Sequence, residues 1–404
     1  MNEMQKKIQE LSNIYADRII GFRRHIHQNP ELSFQEFETS NFIKSVLREY
    51  DIEFTDGWVK TGIVAIINGG LGPGKVVAIR ADMDALPIQE NSEAPYRSKV
   101  KGVMHACGHD VHTASVLGTS IILNELRSTF SGTVKIIFQP GEEKLPGGAS
   151  LMIEEGVLED PKPNVIFGQH VHPPLDTGSF GICGGEYMAS ADEIYITVKG
   201  KGGHAATPHN NVDPILIAGQ IIVALQTMVS RKSDPLVPSV LSIGKINSVG
   251  GATNVIPNEV KLEGTFRTFD ETWRFNAHDH IVQMCEQIAR AQGGECEVNI
   301  IRGYPSLRND VSLTARVQAA MIEYLGKDQC VTLPKRMSAE DFAFYSHHIP
   351  GCFYRMGTGN DRKNTRFSVH TDQFDIDEDA LKNSAGLMSW LVWKELQHEY
   401  LSQH

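Results

Sequence analysis

Residues 192–229 read DEIYITVKGKGGHAATPHNNVDPILIAGQIIVALQTMV. A strand is expected over 193–199. Asp213-Pro214 then supplies an N-cap followed by proline at the first helical position, opening a helix that runs to about residue 229. Two strands follow, over 239–247 and 259–269, then a helix over 271–291 and a strand over 296–301. The order β-α-β-β-α-β is the ferredoxin-like unit. A stretch of about 110 residues suffices for a separate domain.

On either side of this unit, strands alternate with helices. Helices are expected over 3–20 and 37–50. Apolar runs at 62–68 and 75–80, separated by Gly-Gly-Leu-Gly-Pro-Gly at 69–74, read as a hairpin. A helix over 110–127 precedes a strand over 132–138 that ends at Gln139-Pro140-Gly141. A helix over 148–155 and a strand over 164–171 come next, and helices over 312–325 and 377–397 close the chain. Such alternation marks an α/β layered domain. The expected organisation is therefore a larger α/β domain, residues 1–188 and 306–404, interrupted by an α+β insert at 189–305.

Composition narrows the function. The 404 residues carry 49 acidic and 38 basic side chains, a formal charge of −11. Binding of phosphate backbones or anionic lipid needs clustered Lys and Arg, so neither a nucleic-acid nor a membrane partner is expected. The densest apolar run, 215–229, is interrupted by Gly219, Gln220 and Gln226 and falls short of the roughly 20 residues of a membrane helix. Residues 1–10 are polar and charged, without the apolar stretch of a secretory signal, so the expected location is cytoplasmic. Six cysteines without a CxxC pair exclude a disulfide scaffold and a zinc ribbon. Five of them read as small apolar core residues; Cys107 is the exception.

Among 16 histidines, those beside other ligand-type residues, in loops or at strand ends, matter most. His105-Ala106-Cys107-Gly108-His109-Asp110 lies where a helix starts. Thiolate, imidazole and carboxylate together suit zinc or another borderline metal, and Gly108 permits a turn that aims Cys107 and His109 into one cleft. The competing reading makes Cys107 a core residue and His109 a helix-start residue. Glu142-Glu143 follows a strand and a Pro-Gly bend. Metal-assisted hydrolysis needs one carboxylate on the metal and another free to take a proton from the activated water; a solvated surface pair is the plainer alternative. His170 and His172 leave one face of a strand, and either could be a ligand. Asp82 and Asp84 have the same spacing, and one of them could orient a ligand histidine. His25 and His27 read as polar residues of a helix end. His278, His280, His347, His348, His398 and His404 read as structural or surface residues.

Taken in order, these motifs resemble the amidohydrolase branch of the co-catalytic zinc aminoacylase and carboxypeptidase family, with its hippurate hydrolases, N-acyl-amino-acid amidohydrolases and auxin-conjugate hydrolases. The matching stretches are 23–32 (RRHIHQNPEL), 80–87, 105–110, 139–143, 168–170, 202–206 (GGHAA), 254–257 (NVIP), 264–267 (GTFR) and 338–342 (SAEDF). The resemblance implies a mixed-sheet metallohydrolase domain interrupted by a lid or dimerisation domain. It also implies two divalent ions per subunit, zinc first and manganese, cobalt or nickel as alternatives, held by Cys107, His109, Glu143, His170 and His370. Glu142 would be the general base, with Asp84 behind the ligands. His204 of the insert would donate to the oxyanion, and Asn254 and Arg267 would bind the carboxylate of a small N-acyl amino acid. A homodimer or homotetramer through the insert is implied as well. His370 is followed by Thr371-Asp372, where the family usually carries a proline after one small polar residue.

Rival readings fall on local grounds. Gly200–Ala205 satisfies a dinucleotide-binding pattern, but Pro208 and a polar run stand where the helix should open. Gly69–Lys75 has phosphate-loop spacing, yet Val76 replaces the magnesium-binding hydroxyl. No G-x-S-x-G elbow of a serine hydrolase is present. The non-enzyme alternative is a metal-stabilised scaffold with the same fold, which would have no use for the second carboxylate of the Glu142-Glu143 pair.

Overall fold

The computed structural model describes residues 2–398, so His404 lies outside the described residues. The chain divides into two compact units: residues 1–185, 308–334 and 341–404 form the larger, and 186–307 with 335–340 the smaller. The expected limits of the insert, 189–305, fall within three residues of its main segment. The return of 335–340 to the smaller unit was not expected, and it follows a three-residue strand and a proline.

In chain order the larger unit opens with α1 (Glu3–Ile14), α2 (Ala16–Gln28), α3 (Phe37–Glu49), β1 (Glu53–Trp58), β2 (Gly62–Asn68) and β3 (Val76–Asp82). It continues with α4 (His109–Glu125), β4 (Thr133–Gln139), α5 (Gly148–Glu154), β5 (Val165–Asp176) and β6 (Phe180–Ile182). The smaller unit supplies β7 (Asp192–Lys199), α6 (Pro214–Thr227), β8 (Ser239–Val249), β9 (Glu259–Thr268), α7 (Glu271–Ala291) and β10 (Glu295–Arg302). The larger unit resumes with α8 (Val311–Leu325), β11 (Cys330–Thr332), α9 (Phe342–His348), β12 (Gly351–Gly359) and α10 (Asp379–Gln397). The helix expected over 3–20 is thus two helices that meet at Tyr15, the second running on to Gln28.

Eight strands form the mixed sheet of the larger unit, in the order β1-β2-β4-β3-β5-β12-β6-β11. β4, β3, β5 and β12 are mutually parallel. The hairpin expected of 62–80 does not form, because β4 lies between β2 and β3, antiparallel to the first and parallel to the second. The reason is apolar demand on both faces. Every residue of β4 beyond Thr133 is buried, which only a central position satisfies. The glycine-rich 69–74 segment crosses its end instead, with Gly69 N–H donating to Gly132 O at 2.8 Å and Thr133 N–H to Lys75 O at 2.7 Å. Helix α4 is buried along nearly its whole length and packs with α1, α2 and α10.

In the smaller unit the sheet order is β8-β9-β7-β10, all antiparallel, with α6 and α7 packed on it. This is the ferredoxin-like arrangement. Asp213 caps α6, accepting from the N–H groups of Ile215 and Leu216 at 2.9 and 3.2 Å. Pro214–Lys232 is the one helical stretch among the described residues long and apolar enough to cross a membrane, judged by length and composition. Its inner residues Ile217, Ala218, Ile221, Leu225 and Met228 pack into the unit's own core. All six cysteines are free; Cys285 and Cys352 are buried as expected, whereas Cys183, Cys296 and Cys330 are half-buried.

Candidate metal centre

The parallel strands set the geometry. Asp82 pairs with Gln139 across β3 and β4, and Arg80 pairs with Gly168 across β3 and β5. Two residues on, Asp82, Gln139 and His170 stand at one level, near the carboxyl ends of β3 and β4. Open α/β sheets build their sites at that edge. The loop leading to α4 brings Cys107 and His109 to the same edge. Gly108, between them, has φ +88° and serves as the helix N-cap. A Cβ there would stand 2.6 Å from Val171 Cγ2, so both conformation and space require glycine.

Around this edge the expected residues converge. Cys107 Sγ lies 3.4 Å from His170 Nε2 and 3.3 Å from His370 Nε2. His370 Nε2 is 3.1 Å from Glu143 Oε1, and His109 Nε2 is 3.8 Å from Glu142 Oε2 and 3.9 Å from Glu143 Oε1. Among the described residues, donor atoms close enough to share one ion form five sets; two of them, Cys107, His109 and His170, and Cys107, Glu143 and His370, meet at the cysteine, and a third joins His109 to Glu142 and Glu143. His172, the other histidine at the end of β5, is half-buried and belongs to no such set among the described residues.

The surrounding hydrogen bonds dictate which atoms face inward. His109 donates from Nδ1 to Asp84 Oδ1 at 3.1 Å, which turns the Nε2 lone pair to the centre. Asp84 also accepts from the backbone N–H groups of Glu142 and Glu143 at 3.1 and 2.9 Å, and from Ser33 at 2.6 Å. One buried carboxylate therefore aims a histidine and holds the bend that carries both glutamates. His170 donates from Nδ1 to Val171 O at 2.8 Å, which likewise leaves Nε2 facing Cys107.

Two buried atoms in the cluster, His109 Nε2 and Glu143 Oε1, have no hydrogen-bond partner. Leaving such atoms unsatisfied costs on the order of 1–3 kcal/mol each. The electrostatics show the same deficit. Burial and the neighbouring Glu143 carboxylate push the Cys107 thiol well above its ordinary range. Burial, with Arg355 and His112 nearby, holds His170 well below the ordinary histidine value, in the neutral form that ligates. Sulfur, imidazole and carboxylate atoms crowded together, two of them without a hydrogen-bond partner, form the kind of set that a cation completes. The donor set fits zinc or a neighbouring divalent ion.

Sequence reading placed Asp82 and Asp84 behind these residues but passed over the rest of that layer. His112, one turn after His109, donates from Nδ1 to Asp82 Oδ1 at 2.6 Å and accepts from Val171 N–H at Nε2, at 2.9 Å. Both nitrogens are thereby used, and His112 has no lone pair to offer a metal. Asp82 also accepts from Arg80 at 2.6 Å, and Arg80 reaches Gln139 at 2.9 Å and Asp341 as well. Burial opposes ionisation of Asp82, yet His109, His112 and Arg80 hold it well below the usual carboxylate range. His112 was findable from its spacing to His109 on one helix. Asp341, more than 250 residues from Arg80, had no local signal beyond its motif.

The remaining candidates lie in the smaller unit. His204 is exposed on a two-residue strand paired with Val255, and its Nδ1 accepts from Ala206 N–H at 3.0 Å. Asn254 is beside it, its carbonyl accepting from Ala205 N–H at 3.0 Å. Arg267, on β9, donates from Nη1 to Met337 O at 2.9 Å.

Comparison with known proteins agrees with this geometry. Residues 78–394 match peptidase family M20/M25/M40. An N-acetyl-L-cysteine deacetylase of Bacillus subtilis is 44% identical over 365 residues, 90% of this chain and 85% of the relative. An N-acyl-L-amino acid amidohydrolase of Geobacillus stearothermophilus is 43% identical over 305 residues, 76% of this chain and 81% of its own. Among solved structures, a dinuclear metal-binding peptidase of the M20 family from Bacillus subtilis superposes with a TM-score of 0.82 at 40% identity, covering 95% of this chain and 99% of that one. The chain belongs to peptidase family M20/M25/M40, as a member of its metal-dependent amidohydrolase branch.

Proposed function

We propose that the protein hydrolyses the amide bond of N-acyl amino acids, or of related small amides and dipeptides, releasing a carboxylic acid and a free amino acid. The observation that carries this reading is the meeting of Cys107, His109, Glu143, His170 and His370 around buried unsatisfied donor atoms, with one further carboxylate, Glu142, beside them. The B. subtilis and G. stearothermophilus relatives supply the substrate class. Divalent ions held there would polarise the substrate carbonyl and acidify water.

The rest is the work of the chain's own residues. Glu142 takes a proton from the attacking water and delivers it to the leaving amine nitrogen. Its place is set by Asp84, which holds its backbone N–H, and by the Asp341 N–H, 3.5 Å from Oε1. In this reading His204 donates to the oxyanion that develops on the carbonyl. Asn254 and the Arg267 fork grip the free carboxylate of the amino acid. Thiolate ligation favours zinc, with manganese, cobalt or nickel as alternatives.

The test is hydrolysis of N-acetyl and N-benzoyl amino acids, with and without chelator, by the parent protein and by Glu142→Gln. The parent is expected to turn over in a chelator-sensitive way. The variant should keep its metal content and lose about 10²–10⁴-fold in kcat. Tight metal binding with no turnover across a broad acyl-amino-acid panel would instead support a scaffold.

The proposal extends to assembly as a dimer through the smaller unit. Val223, Ile215 and Leu216 are exposed on α6, as are Ile246 and Val249 on the edge strand β8, apolar side chains and an open strand edge of the kind that an interface covers. Sedimentation should give a dimer mass; a monomer mass at every concentration would refute it.

A further inference from the structure

The segment 23–32 carries charged and ring side chains to which the mechanism above assigns no task. Arg23 is wholly buried on α2. Its Nε donates to Asp110 Oδ2 at 2.7 Å and its Nη2 to Asp375 Oδ1 at 2.8 Å. These two carboxylates sit on the two segments that deliver separate parts of the metal set. Asp110 directly follows His109, and Asp375 comes five residues after His370. Tyr96 covers the guanidinium, its ring centre 4.6 Å from Cζ, and donates its hydroxyl to Asp375 Oδ2 at 2.8 Å. His27, one turn along α2, shares Asp110 Oδ2 at 2.8 Å.

His370 needs such a tether. Its backbone is in the left-handed region, φ +64°, which a non-glycine residue adopts at a cost. Its side chain is 52% exposed, unlike the buried His109 and His170, so packing does little to hold it. Close to the centre, its own segment is joined to the Cys107 loop by His370 N–H donating to Ala106 O at 2.7 Å.

We propose that Arg23 is a positioning residue, a buried two-armed clamp whose guanidinium sets the spacing between the Cys107–His109 segment and the His370 segment, and so governs the affinity of the metal position to which His370 belongs. A planar fork can hold two carboxylates at a fixed separation; a lysine ammonium on its flexible stem cannot. The inference rests on His370 being a metal ligand, as the proposed function has it.

The experiment titrates metal-free full-length protein with Zn²⁺ against a chromogenic chelator, for the parent, Asp375→Asn, Arg23→Lys and His370→Ala. Thermal melts accompany each titration. Asp375→Asn leaves the Arg23–Asp110 pair intact at a position near the surface, so the variant folds even if Arg23→Lys does not. Asp375→Asn and His370→Ala should weaken the same one of two zinc sites, Asp375→Asn by about 10–100-fold, while the other site keeps its parent affinity. Both sites unchanged in Asp375→Asn, with one weakened in His370→Ala, would refute the clamp and spare the ligand assignment. Equal weakening of both sites in Asp375→Asn would reduce Arg23 to general structural support, and that too refutes it. A His370→Ala protein that binds two zinc ions like the parent would overturn the ligand assignment itself.

Discussion

Each unit buries a cluster built from aspartate or glutamate, histidine and their neighbours, and the two clusters are opposites. In the smaller unit, Asp192 accepts from Arg274 Nε at 2.9 Å, from His278 Nε2 at 2.8 Å and from Gly303 N–H at 3.1 Å. Arg274 then donates to Glu271 at 2.8 Å and to Gly303 O at 3.0 Å. Donors meet acceptors throughout. In the larger unit, a thiol, three imidazole nitrogens and two glutamates crowd one point, and His109 Nε2 and Glu143 Oε1 find no hydrogen-bond partner there. Burying polar groups is tolerable only with partners. A cluster that completes its own partners holds a fold together, and one that leaves its lone pairs open is built for a group from outside.

This contrast can be broken experimentally. The largest effect is expected at the completed cluster. Arg274→Met leaves Asp192 buried without its main counter-charge and should destabilise the protein by about 3–5 kcal/mol. Denaturant unfolding measures this, and metal content per folded subunit should not change. A loss below 1 kcal/mol would mean that the Asp192 cluster is not structural. The open cluster should respond with the other sign. In metal-free protein, Glu143→Gln relieves the crowding of adjacent carboxylates and should raise stability by roughly 0.5–2 kcal/mol. With zinc present the same variant should melt below the parent, because the stabilisation that bound metal confers on the folded state is reduced. A metal-free variant less stable than the metal-free parent would show that Glu143 is satisfied without a cation, and the contrast would fail.

How much of the site was legible in the sequence follows from distance along the chain. Cys107, Gly108 and His109 are adjacent, and the turn that aims them depends on one glycine whose necessity local reasoning can supply. The Glu142-Glu143 pair was visible as two carboxylates just past a strand. Spacing alone left His170 and His172 level, since both leave the same face of β5; the family resemblance chose His170, which is the one that lies beside Cys107. Arg80 and Asp341 had no local pattern that marks a buried network, because charged residues at such positions are usually solvated; Asp82 and His112 were visible only through their spacing to Asp84 and His109. Arg23 and Asp375 are 352 residues apart, and no spacing rule reaches across that interval.

The sequence by itself determined the elements of the smaller unit, because caps such as Asp213 and the apolar periods of its strands and helices act within a few residues. It also determined the chemical types available for a metal set. Tertiary structure decided that β4 enters between β2 and β3, that five candidate ligands from four separate segments face one another, and that Asp84 aims His109 and not some other group. Hydrogen bonds and burial between distant segments set those outcomes, and their energies exist only once the chain has closed on itself.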